Sequence, residues 1–187
     1  MSLNHLNKYS ELTDEQFILI GKIVVEFSNI DFSLDVILCR LLLTSDFSGY
    51  YITEKDGIEK TVNKIKKAIK LHRNRYKNLL DDSILVNIEN TLSTVNTNKK
   101  YRNMFAHSNF SRIDDNKIFG VGLNNPPTYT DKGKIIDDSV EFDIKKLTEI
   151  YTESYDIVSE LTKIIEILPT IREEFLIKEI LSQKNNV

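Results

Sequence analysis

Cysteine is nearly missing from this chain, with Cys39 the single one among 187 residues. That excludes an intrachain disulfide and a zinc site built on the cysteines of one chain. Cys39 itself is expected to be a small apolar core residue. Proline and glycine are also scarce, at three and six, which leaves too few turn formers for an all-β fold and makes the chain read as mostly helical. Long hydrophobic runs are absent: the apolar segments are interrupted by charge, and none reads as a bilayer span. The opening MSLNHLNKYSELTDE has no basic start leading into an apolar stretch, so neither signal peptide nor anchor is expected. These absences together predict a soluble, cytoplasmic protein with no membrane partner.

What remains is an ordinary globular mixture, 41% hydrophobic and 28% charged, of a length suited to one domain spanning 1–187. The net charge of -3 argues against strong nucleic-acid binding by the whole surface and leaves room for a local basic patch.

The order of elements follows from periodicity. Thr13 and Gln16 in LTDEQ form a capping box that opens a first helix. Its apolar row runs Phe17, Ile20, Val24, Phe27, Leu34, Leu38, Leu41, with Asp31 in the one missing place. A second row, Ile23, Ile30 and Ile37, lies beside it, so this helix is expected to pack on more than one side, as a central helix or one shared with a second subunit. The next helix carries Ile58, Val62, Ile65 and Ile69 on one face; Lys60, Lys64, Lys66, Lys67, Lys70, Arg73, Arg75 and Lys77 oppose only Glu59 on the other. A charge run of this kind is usually solvated surface, and RNA contact is the alternative.

Asp81 and Asp82 begin a third helix, with stripe Leu85, Ile88, Leu92 and Val95, expected to reach about Ala106. The segment 109–142 changes character. Phe110 to Val121 around Asp114, Asp115 and Asn116 predicts a hairpin, Asn124 to Pro127 a break, and Lys134 to Phe142 one more short strand. Asp143 then caps a long helix with Ile144, Leu147, Ile150, Tyr151, Tyr155, Val158, Leu161 and Ile165 as its apolar face; Pro169 stops it and Ile171 to Leu181 forms a terminal helix. The predicted fold is mainly all-α, a bundle of four to five helices with a short β-hairpin insertion before the last long helix.

The stretch YRNMFAHSNF ends the third helix. Continuing the stripe past Val95 at 100° per residue leads to Lys99, then between Arg102 and Asn103, then to Ala106 beside His107. The polar residues are thus expected on the inward face, with Tyr101 and Phe105 pointing the other way. A charged and a titratable group directed inward are costly unless they meet partners or line a wet cleft. A structural reading assigns His107 to the helix C-terminus, bonded to carbonyls, and pairs Arg102 with an acid such as Asp31.

The segment RNMFAHS resembles the Arg-x4-His motif of the HEPN superfamily (higher eukaryotes and prokaryotes nucleotide-binding domains), and the order of elements, from the long first helix GKIVVEFSNIDFSLD to the closing long helix, is similar over most of the chain. The resemblance implies a helical domain that dimerises with two motifs facing each other. It also implies either a metal-independent RNase of toxin or phage-defence systems, controlled by an antitoxin or other regulatory protein, or a noncatalytic dimeric module binding protein, nucleotide or RNA.

RNA carries its own nucleophile in the 2′-hydroxyl, so a base, an acid and a cation suffice for cleavage to a 2′,3′-cyclic phosphate without a metal or cofactor. His107 is the candidate for proton transfer, because imidazole changes charge near neutrality. Arg102 is the candidate for holding the phosphate through its fork of donors, and Asn103 for orienting either. Lys99 and Lys100, about one turn earlier, are candidate RNA guides. Glu26, Asp31 and Asp35 are candidate supporting acids for Arg102. His5 and His72 have no convincing partners, and the three dispersed histidines do not suggest a metal site.

Overall fold

The computed structural model describes residues 11–46, 48–53, 56–77, 79–122, 128–129, 135–136 and 140–170. The fold is mainly all-α. Helices α1 (Asp14–Leu41), α2 (Ser48–Thr53), α3 (Ile58–Asn74) and α4 (Asp82–His107) precede strands β1 (Ser108–Arg112), β2 (Lys117–Gly122), β3 (Thr128–Tyr129), β4 (Ile135–Ile136) and β5 (Val140–Asp143), and α5 (Ile144–Ile167) follows. The expected terminal helix, the break at Asn124 to Pro127, and His5 lie outside the described residues. Contacts group the chain into two compact units, one of residues up to Ser28 with Asn98–Asp156, the other of Asn29–Thr97 with residues from Ile157 onward.

In the first unit, the capping box forms as expected. The Thr13 amide donates to Gln16 Oε1 at 2.9 Å and the Gln16 amide to Thr13 Oγ1 at 3.2 Å. The same Gln16 is fully buried, and its Nε2 donates to the carbonyls of Asp114 at 2.8 Å and Asp115 at 3.2 Å. One side chain therefore closes the helix start and holds the hairpin turn. That anchor fixes the rotation of α1. Gln16 and Ile23 follow one another at heptad spacing on the buried line, flanked by Leu19 and Phe27. Phe17 and Val24, expected in the core row, are displaced about 100° from that line and are exposed.

The hairpin pairs Ser108 with Gly122 through Arg112 with Ile118, and β5 adds to its other side by pairing Ile118 with Phe142. The order is β1-β2-β5, all antiparallel. Of the predicted strand at Lys134 to Phe142, the last residues join this sheet, whereas Ile135–Ile136 pairs with Thr128–Tyr129 in a separate ladder. Gly120 faces the Phe110 ring so closely that a Cβ there would stand 2.6 Å from its Cε1. That proximity lets Phe110 stack on Phe105, with centroids 5.2 Å apart, while Phe142 closes on the same ring at 5.5 Å.

Asp143 caps α5 as predicted, its Oδ1 accepting from the Lys146 amide at 2.6 Å. The buried stripe of α5 differs from the expected one beyond Ile150: Leu147 and Ile150 are followed by Ser154, Ile157, Leu161 and Ile164, while Tyr155 is exposed and Val158 and Ile165 are only half-buried. Ser154 can sit inside because its hydroxyl donates to the Tyr151 carbonyl at 2.8 Å, leaving no unsatisfied group.

In the second unit, Ile30, Leu34, Ile37, Leu38 and Leu41 of α1 are buried with Ile58, Val62, Ile65 and Ile69 of α3 and Leu85, Ile88, Leu92 and Val95 of α4, as the periodicity predicts. Cys39 is buried too. The basic face of α3 is less bare than its sequence suggests. Arg73 forks onto Glu89, both bonds 2.9 Å, and reaches Asp82 at 2.8 Å, while Lys64 pairs with Asp56 and donates to the Ile52 carbonyl at 2.7 Å. His72 also has a partner, its Nε2 lying 2.6 Å from the Leu41 carbonyl at the end of α1. Donation from Nε2–H satisfies a carbonyl that the helix leaves open.

Asp35 is half-buried in this unit. Burial raises its pKa above the ordinary carboxylate value, the charges of Asp31 and Asp56 add to the rise, and Thr53 and Lys64 oppose it. A folded-state pKa raised in this way means the ionised carboxylate costs stability above that pKa, and the cost fades as pH falls toward the unfolded value. Asp35→Asn should therefore raise the melting temperature near pH 7, and the gain should shrink near pH 4. Thermal unfolding at the two pH values checks this, and a variant that is less stable than wild type at pH 7 would contradict it.

Candidate functional site

The last two turns of α4 carry Arg102, Asn103 and His107, and β1 starts at the next residue, Ser108. Burial here departs from the sequence expectation. After Val95 the inward line passes through Asn98 and Phe105, both buried, while Asn103, Ala106 and His107 are exposed and Arg102 is half-buried. The stripe steps from Val95 to Asn98 instead of Lys99, displacing the inward line about 100° from the extrapolated direction. The cause is the aromatic cluster: burying Phe105 between Phe110 and Phe142 removes far more apolar surface than burying Ala106 would. Phe105, expected to face away, is the inward residue, and Asn103 and His107 face solvent while Arg102 lies half-buried at the edge.

Asn103 and His107, four apart, share an exposed face with Lys100. Lys99 is half-buried. Glu26 belongs to the same compact unit as the motif, and Asp31 to the other. Lys99, Arg102, Glu26 and Asp31 are each engaged with neighbouring groups. Among the described residues no cluster of His, Cys, Asp or Glu could hold a metal ion, and no helix is long and apolar enough to cross a membrane.

One cluster beside the motif was not anticipated. Tyr101 is half-buried, with Lys100 Nζ 4.8 Å from its ring centroid and Lys146 Nζ, from the first turn of α5, at 5.9 Å. Lys146 also donates to Glu149 at 3.0 Å, and that bond raises its pKa, favouring the charged form. Nothing in the sequence near Tyr101 announces Lys146; the β-insertion and the Asp143 cap bring it there.

The face of α1 opposite its buried line is the other departure. In the first unit Phe17, Ile18, Val24 and Val25 are 37%, 51%, 40% and 56% exposed. Gly21 lies among them, with open space where a Cβ would be. Ile18, Gly21, Val25 and Ser28 follow one another along this face at a three-four-three spacing.

Comparison of the chain with protein-family models, with curated proteins and with solved structures returns no match.

Proposed function

We propose that the chain is a HEPN-like, metal-independent endoribonuclease that acts as a homodimer, in the setting of a toxin or phage-defence component under a protein partner's control. The observation that carries this reading is the exposure of Asn103 and His107 at the end of a helix whose direction is fixed by Phe105. The polar residues are not consumed in packing, and the segment that bears them is held firmly.

In the proposed reaction His107 takes the proton of the 2′-hydroxyl, and the 2′-oxygen bonds to phosphorus as the bond from phosphorus to the 5′-oxygen breaks. The leaving oxygen receives a proton, giving a 2′,3′-cyclic phosphate and a 5′-hydroxyl. Arg102 compensates the charge on the phosphorane and Asn103 orients the imidazole or the phosphate. One motif offers one histidine, whereas the reaction needs a base and an acid. A second copy supplies the other.

The apolar face of α1 supports dimerisation, since four large apolar side chains on one exposed helix face mark an interaction surface. Wild type is expected at twice its 21.7 kDa chain mass by light scattering at micromolar concentration, and Val25→Glu at the single mass. A monomeric wild type would remove the composite site. The same face favours a second reading, a noncatalytic module that binds protein, nucleotide or RNA. Incubating wild type and His107→Ala with mixed RNA in the presence of chelator separates the two: cleavage by wild type alone supports the nuclease, and no cleavage by either supports the module.

A further inference from the structure

Two lysines from different helices converge on one tyrosine ring, about two helical turns before His107. Lys100 lies seven residues before His107 on the same face of α4, roughly 10 Å along the axis, while the Tyr101 ring points about 120° round the helix from His107. A strand lying over the motif therefore meets the Lys100 ammonium within about two nucleotides and reaches Lys146 by turning toward α5. An ammonium held over an aromatic face has lost part of the freedom of a free lysine before any ligand arrives. Lys146 is fixed further at its backbone, since its amide is the donor to the Asp143 cap, and at its head by Glu149.

We propose that Lys100 and Lys146 form a phosphate-binding subsite for the RNA strand, with Tyr101 as the residue that positions both ammonium groups. This rests on the nuclease reading for the identity of the strand, and extends the site from the end of α4 to the first turn of α5. The lysines contact phosphate oxygens and carry no sequence information. Tyr101 acts through them, and its ring rather than its hydroxyl is what matters.

The test is binding of a fluorescent, fully 2′-O-methylated RNA oligonucleotide, which lacks the nucleophile and is not cleaved, measured by anisotropy over a range of salt. Lys100→Ala and Lys146→Ala should each weaken binding about five- to tenfold and lower the slope of log K against log salt by about 0.7, the release expected for one single-strand phosphate contact. Tyr101→Leu should weaken binding while leaving the slope near that of wild type, and Tyr101→Phe should restore the affinity. Lys163→Ala, an exposed lysine of α5 paired with Glu160, should bind as wild type does.

Lys146→Ala within twofold of wild type and with the same slope overturns the subsite, as does a wild type that does not bind. Equal affinity for poly-glutamate with the same dependence on Lys146 assigns the cluster to acidic protein and overturns it too. Cleavage serves as the independent arm. A wild type that cleaves through His107 while Lys146→Ala binds normally sinks only the subsite, and Lys146-dependent binding without cleavage sinks only the nuclease.

Discussion

His107→Ala should lower RNA cleavage by about 10²- to 10⁴-fold, the range for losing a positioned general acid or base, while leaving the melting temperature within a degree or so. The two halves of this expectation come from the same fact. His107 is exposed at the end of α4, so its ring contributes little to packing, and surface substitutions of this kind change stability by roughly half a kcal/mol or less. Arg102→Lys should cost less, about ten- to a hundredfold, because lysine keeps the charge but loses the planar fork. Chelator should leave the wild-type rate unchanged. Product analysis gives a second check, as the route through the 2′-hydroxyl requires a 2′,3′-cyclic phosphate. Cleavage that survives His107→Ala at the wild-type rate removes this residue from the mechanism.

Gln16→Glu should be a strongly destabilising change, costing about 3–5 kcal/mol near pH 7. Glutamate keeps the acceptor that closes the capping box but turns the donor facing Asp114 and Asp115 into a second acceptor. A carboxylate is then buried against carbonyl oxygens, whereas Gln16→Ala only deletes the bonds and leaves a cavity, about 2–3 kcal/mol. Against a typical stability of about 5–15 kcal/mol, the first change brings the protein close to unfolding. The variant carboxyl should have its folded-state pKa raised, so its penalty should lessen as pH falls and a proton restores a donor. Urea unfolding of both variants near pH 7 and pH 5 tests the ranking and the recovery. Equal stability of Gln16→Glu and wild type would mean that the hairpin turn does not depend on this side chain.

Gln16 also shows where reading the sequence succeeded and where it stopped. The capping box is local, built from residues three apart, and its pattern is written in LTDEQ. The bonds to Asp114 and Asp115 join positions far apart in the chain and leave no periodic trace, yet they set which side of α1 turns inward and so expose Phe17 and Val24. The third helix behaves in the same way. Leu85 to Val95 could be read because burial there follows an unbroken spacing. Beyond Asn98 the choice between Phe105 and Ala106 is made by Phe110 and Phe142, which only the sheet register delivers. The motif residues were legible as types at a spacing; the direction in which they point, and the arrival of Lys146 beside Tyr101, were not.

The helix that ends at His107 is followed without any loop by a strand that begins at Ser108. There is no slack at that junction. One residue inserted between them would either turn the imidazole by about 100° about the helix axis or move β1 by one place against β2, sending Phe110 to the opposite face of the sheet. The segment should therefore tolerate substitutions far better than changes of length. In a library of single-residue insertions and deletions, the positions around Ser108 should be depleted even where every neighbouring side chain is freely exchangeable.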